Sequence, residues 1–102
     1  GAGDLAVSLE ILNGTKTAGL ARRTREIFQS FGFEVVSFSN AEEQDVEKTV
    51  VIDRRGNPET AGKVAQVIRC ARIVTEIPED AARAPADVTL VLGRDFDGRY
   101  CK

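Results

Sequence analysis

Apolar and polar positions follow two different periods along this chain. Leu5, Val7, Leu9 and Ile11 alternate strictly with small or polar neighbours, which predicts a strand over residues 5–12. Asn13-Gly14-Thr15 then supplies a turn that tolerates positive φ. From Thr17 or Ala18 the spacing lengthens. Leu20, Thr24, Ile27, Phe28 and Phe31 share one helical face, with Arg22, Arg23, Arg25, Glu26 and Gln29 mainly on the other. Gly32 stops this helix at its C′ position, where Phe33 packs back on the last turn.

A second strand is expected over 33–39, with Phe33, Val35 and Ser37 facing one way and Glu34, Val36 and Phe38 the other. The β-branched run Thr49-Val50-Val51-Ile52 carries a third strand over 48–53. Asn57 is placed as an N-cap, Pro58 at the first helical position and Glu59 in the first turn, where the helix dipole favours an acid. That second helix is expected to reach about Cys70, with Ala61, Val64, Ala65, Ile68 and Ala71 on its apolar face. A fourth strand over 72–77 ends at Pro78. The last, 88–93, is nearly all apolar and is expected at the centre of the sheet. The order βαββαββ predicts an α/β sandwich. Its mixed sheet has about five strands and two helices, with ferredoxin-like split βαβ character. Residues 5–97 read as one domain, residues 1–4 as a disordered or tag-derived start, and residues 98–102 as a C-terminal tail.

Composition narrows the function. The 102 residues suit one core, and a hydrophobic content of 42% is enough to fill it without disulfides or a metal. A formal charge of −2 argues against a general nucleic-acid binder. The chain has no His, so Ser-His-Asp and Cys-His catalysis are excluded within it. Two Cys and no His cannot build the common zinc sites. Cys70 and Cys101 are either one disulfide, which export would permit, or two thiols, with Cys70 buried and Cys101 loose at a fraying terminus. The commoner reading is the second. The chain lacks Met and starts Gly1-Ala2-Gly3, so it reads as a piece of a longer protein.

No motif in the chain is complete. Gly14 and Gly19 have the Walker A separation, but Leu20 and Ala21 stand where that loop needs Lys and Ser or Thr. Asp95-Phe96-Asp97-Gly98 begins like a calcium loop, yet the chain ends before the twelfth-position Glu. Glu42, Glu43, Asp45 and Glu47 read as a solvated loop. Arg22, Arg23, Arg25, Arg54 and Arg55 read as solvated faces with no interleaved aromatics. The candidate binding residues are those of the two turns that follow apolar strands, Asn13, Gly14, Thr15 and Lys16 after the first and Arg94 and Asp95 after the last. Free N–H groups and an ammonium at the first turn suit an anion.

The order of these small motifs resembles the LytR C-terminal domain family. The residues that carry the likeness are Leu12-Asn13-Gly14, Gly19-Leu20-Ala21, Gly32-Phe33, Asn40-Ala41 and Thr49, then Asp87-Val88-Thr89 and Leu92-Gly93 with Asp95-Phe96. They span residues 5–96. The family occurs at the ends of LytR-CpsA-Psr proteins and on other bacterial envelope proteins, and the two Cys are no part of its pattern. The resemblance implies an accessory domain, with phosphotransferase chemistry confined to a separate upstream domain of the parent. It implies an extracytoplasmic setting, membrane anchoring through a segment outside this chain, and no cofactor. The expected function is non-catalytic docking to protein or to cell-wall polymers such as peptidoglycan or a teichoic acid-like glycan. The alternatives are a regulatory or oligomerisation module acting through a sheet edge, and a nucleotide or nucleic-acid binder.

Overall fold

The computed structural model describes residues 6–102. The elements are β1 (Ser8–Asn13), α1 (Leu20–Ser30), β2 (Glu34–Asn40), β3 (Val50–Asp53), α2 (Pro58–Ile68), β4 (Ile73–Thr75) and β5 (Val88–Leu92). A single 3-10 turn, Ala81–Arg83, precedes β5. The expected disordered or tag-derived start, residues 1–4, and the place of Leu5 in the first strand lie outside the described residues.

The five strands form one mixed sheet in the order β2-β1-β5-β3-β4. β1 is parallel to β2 and to β5, β3 is parallel to β4, and β3 meets β5 antiparallel. The α/β class, the five strands, the two helices and the central last strand agree with the sequence. The split does not. In a split βαβ unit another strand lies between the two that the helix joins. Here β1 and β2 are direct neighbours, as are β3 and β4, so both units are closed. β5 is inserted between the units rather than added to one side.

Register puts Leu9 and Ile11 beside Val88 and Leu90, and Leu90 beside Val51. These side chains join Leu20, Phe28, Val64 and Ile68 of the helices in one buried cluster. Both helices therefore pack on the same face of the sheet. The opposite face carries Glu10, Leu12, Val91 and Val50, all partly exposed. There the Glu10 carboxylate accepts from the Thr89 hydroxyl at 3.0 Å, and Arg54 Nε donates to that hydroxyl at 3.2 Å.

Local signals explain the helix ends. Asn57 accepts from the Thr60 amide, and Pro58 opens α2. α1 closes in a Schellman turn: Phe33 N donates to Phe28 O and Gly32 N to Gln29 O, with Gly32 at φ 86°. The Phe28 and Phe33 rings then meet edge to face at 5.2 Å. α1 starts later than its pattern suggests, at Leu20. The left-handed Gly19 precedes it and makes no side-chain cap.

Three placements differ from the sequence reading. Phe31 is 57% exposed rather than part of the apolar face, because it is the C-cap and the chain has already left the helix there. Val35 packs on the core with Phe33 as expected, but a bulge between the Leu9 and Glu10 pairings shifts the alternation of β2 beyond it, so Phe38 turns to the same side, toward α1, under Arg25. Residues 98–102 are not a free tail. Cys101 pairs with Phe96 and donates its amide to Ile68 O, while Lys102 N donates to Asp95 O.

Candidate functional site

The carboxyl ends of β1 and β5 lie side by side, with Asn13 opposite Leu92. This rim gathers the two candidate turns. Segment 41–49 crosses it and is stitched down by backbone bonds: Ala41 N to Asn13 O, Val46 N to Gly14 O, Arg94 N to Val46 O and Asp95 N to Glu47 O. The crossing requires glycine at two points. A Cβ on Gly14 would meet Val46 Cγ2 at 2.6 Å and Leu92 O at 2.7 Å, and one on Gly93 would meet the Lys48 carbonyl carbon at 2.6 Å.

The polar side chains of the rim hold backbone. Asn13 is buried; its Oδ1 accepts from the Thr15 amide and hydroxyl, and its Nδ2 donates to Thr17 O. The Thr15 hydroxyl accepts from Thr17 N. Asp95 Oδ1 accepts from the Thr49 amide and hydroxyl, and the Thr49 hydroxyl accepts from Gly93 N. Thus the rim joins Asn13, Gly14 and Thr15 into one Asx turn and ties Asp95 to the start of β3.

Of the six candidates, Thr15, Lys16 and Arg94 line a common cleft of about 260 Å³, together with Gln44, Asp45 and Phe96. Asn13 and Asp95 border two different clefts instead. Inside the 260 Å³ cleft Arg94 approaches Asp45 at 3.7 Å, with both side chains mostly exposed. Such a pair is worth little. Among the described residues no three His, Cys, Asp or Glu side chains gather where they could hold a metal ion. No described helix is long and apolar enough to cross a membrane.

A profile of the LytR_C family, described as LytR cell envelope-related transcriptional attenuator, matches residues 6–96. The chain belongs to this family. No curated protein and no solved structure gives a match. LytR_C is a family of bacterial cell-envelope proteins. In this LytR_C domain six of the residues that carried the sequence resemblance build the rim and the helix end: Asn13, Gly14, Gly32, Thr49, Gly93 and Asp95.

Nine of the fourteen basic residues fall into two groups. Arg54 is spent on Thr89 and on Glu76 O, and Arg55 on Asp87 at 3.2 Å and on Ala81 O. Arg23 reaches back to Ala18 O, and Arg25 lies 4.3 Å from the Phe38 ring centroid. Those arginines serve the fold. Lys48, Arg69, Arg72, Arg99 and Lys102 instead border two clefts that share Arg69, one of about 310 Å³ and one of about 340 Å³.

In the second of these clefts, aromatic and cationic groups interleave, at residues other than the five arginines expected on solvated faces; of those five only Arg25 meets a ring, that of Phe38. Arg69 and Arg99 lie 4.4 and 4.2 Å from the Tyr100 ring centroid, and Arg99 lies 5.9 Å from that of Phe31. The sequence reading missed this cluster because its members are 31, 69, 99 and 100. They meet through Cys70 and Cys101, which are joined as a disulfide. Neither the loose Cys101 nor the free-thiol reading holds. Each cysteine follows a member of the cluster directly, so the bond sets Arg69 beside Tyr100. That adjacency was the available signal, and it is informative only once the pairing is known.

Proposed function

We propose that this LytR_C domain is a non-catalytic accessory module of an envelope protein, docking outside the membrane to a protein or a cell-wall polymer. The observation that carries this reading is the family match over residues 6–96, which accounts for nearly the whole chain as one LytR_C unit. Two features support it. The strand-end groups that catalysis would use are already committed: Asn13 holds Thr15 and Thr17, and Asp95 holds Thr49. The Cys70–Cys101 disulfide suits an oxidising compartment outside the cytoplasm. Retention of the 102-residue chain on purified peptidoglycan with attached wall polymer tests the glycan form of the proposal. Absence of retention at low salt removes that form and leaves a protein partner.

A second reading has its own observation. β2 is an edge strand whose Val36 is 43% exposed, and exposed edges pair readily with another strand. Sedimentation analysis decides it, since a strict monomer at high concentration removes self-association through this edge.

A further inference from the structure

We propose that the surface joining Phe31, Arg69, Arg99 and Tyr100 binds an anionic sugar chain, one that carries its charge as phosphate or carboxylate. This deepens the docking reading above and rests on it. Three observations lead here. The first is charge. A chain with a formal net charge of −2 gathers Lys48, Arg69, Arg72, Arg99 and Lys102 around two adjoining clefts, against Asp95 in the first and Asp97, which pairs with Lys102 at 3.4 Å. Among the described residues neither Arg69 nor Arg99 makes an ion pair with a carboxylate, whereas Arg55, Arg83 and Arg94 each do. Two guanidiniums with no anionic partner among the described residues, both beside one ring, are arranged for an external anion.

The second observation is preorganisation. Arg99 Nη1 donates to Val67 O, and both guanidiniums rest on the Tyr100 ring. The disulfide fixes the turn that carries Arg99 and Tyr100 to the end of α2. Asp97 braces the same turn by accepting from the Arg99 and Tyr100 amides. Forks held in this way lose little freedom on binding, and their N–H edges match phosphate or carboxylate oxygens.

The third is the apolar floor. Phe31 is 57% exposed and lines the same cleft as Arg99, together with Val67 and Gln66. The negative face of an aromatic ring attracts the weakly positive C–H groups of a sugar ring. Gln66 has both a donor and an acceptor for sugar hydroxyls. A bare inorganic ion uses only the arginines, and a neutral sugar only Phe31 and Gln66. An anionic sugar uses both.

The test is titration of the isotope-labelled 102-residue chain, followed by amide and Arg Nε resonances. Four probes are compared: inorganic phosphate, glucose 6-phosphate, an oligogalacturonate and neutral maltohexaose. The expected result is that signals of Gln66, Arg69, Arg99 and Tyr100 move with one or both sugar anions, with affinity at least about tenfold above that for phosphate or maltohexaose. The responsive arm tells a phosphate from a carboxylate source. Substituting Arg69→Gln with Arg99→Gln abolishes the shifts while the remaining spectrum is preserved. Phe31→Ala weakens the sugar anions but leaves inorganic phosphate unchanged. Silence of these resonances with both sugar anions overturns the proposal, as does equal affinity for sugar anions and inorganic phosphate. Undiminished retention of the Arg69→Gln/Arg99→Gln variant on purified walls overturns this site while leaving the general docking reading intact.

Discussion

Asp95 Oδ1 accepts two hydrogen bonds from Thr49, 2.8 Å from its amide nitrogen and 2.6 Å from its hydroxyl oxygen. One carboxylate thereby joins the turn after β5 to the start of β3 across 46 residues of sequence. Thr49 is 1% exposed, so its groups have no water to replace the lost partner. Asp95→Ala is expected to cost about 1–3 kcal/mol of stability. Urea unfolding measures this, and an unchanged midpoint would show that the bonds are dispensable.

Two glycines are expected to respond in opposite directions to the same added methyl group. At Gly93 a Cβ would lie 2.6 Å from the Lys48 carbonyl carbon and 2.7 Å from Thr49 N, both backbone atoms that cannot swing aside. Gly93→Ala therefore destabilises by roughly 1–3 kcal/mol. At Gly62, inside α2, a Cβ meets nothing within 4 Å. Gly62→Ala is expected to stabilise by about 0.5–1 kcal/mol through helix propensity. Thermal melts of the two variants check the contrast.

One source of pH dependence is Asp87, the more buried of the two carboxylates, Asp87 and Asp97, held below the ordinary value. Burial pushes its carboxyl pKa up, but hydrogen bonds from the Ser8 amide, the Arg55 side chain and the Ser8 hydroxyl, with the charge of Arg55, outweigh this and leave it below 3.8. A pKa depressed on folding contributes stability that is complete above the unfolded value and is lost as pH falls through the folded one. This contribution is therefore present at neutral pH and disappears below 3.8. Replacing Asp87 with Asn should flatten the acid limb of a stability–pH profile. A limb as steep as in the parent chain would assign the acid sensitivity elsewhere.

The Cys70–Cys101 bond closes a loop over a sequence separation of 31. The chain-entropy relation gives roughly 3–4 kcal/mol for such a loop. Melting with and without a thiol reductant is expected to show a clear fall in Tm on reduction. The Cys70→Ser/Cys101→Ser variant should match the reduced parent and be indifferent to reductant.

Much of the fold was legible because its signals are local. The alternation of Leu9 and Ile11, the Asn57-Pro58 start, and the Gly32-Phe33 stop each act within a few residues, and each is found in the structure. Strand order is not local. The period-2 pattern of β1 and β2 is the same whether they are neighbours or are separated by another strand, so the closed βαβ units could not be told from split ones. A single bulged residue in β2 likewise reversed the side on which Phe38 lies. The site was legible only in part. The two strand-end turns do meet, but Asn13, Gly14 and Asp95 have structural work there that spacing alone does not reveal. The cluster of Phe31, Arg69, Arg99 and Tyr100 depends on a covalent bond between distant positions, which no periodicity encodes.

The insertion of β5 between β1 and β3 has a consequence for biosynthesis. The β1-α1-β2 and β3-α2-β4 halves pair through β5, and no ladder joins β1 directly to β3. A nascent polypeptide that has left the ribosome only as far as Pro85 holds two half-sheets with their inner edges unpaired. Such edges attract foreign strands. The two halves can be joined only once Val88–Leu92 emerges, so vectorial synthesis delivers the strand that unites them after both are made.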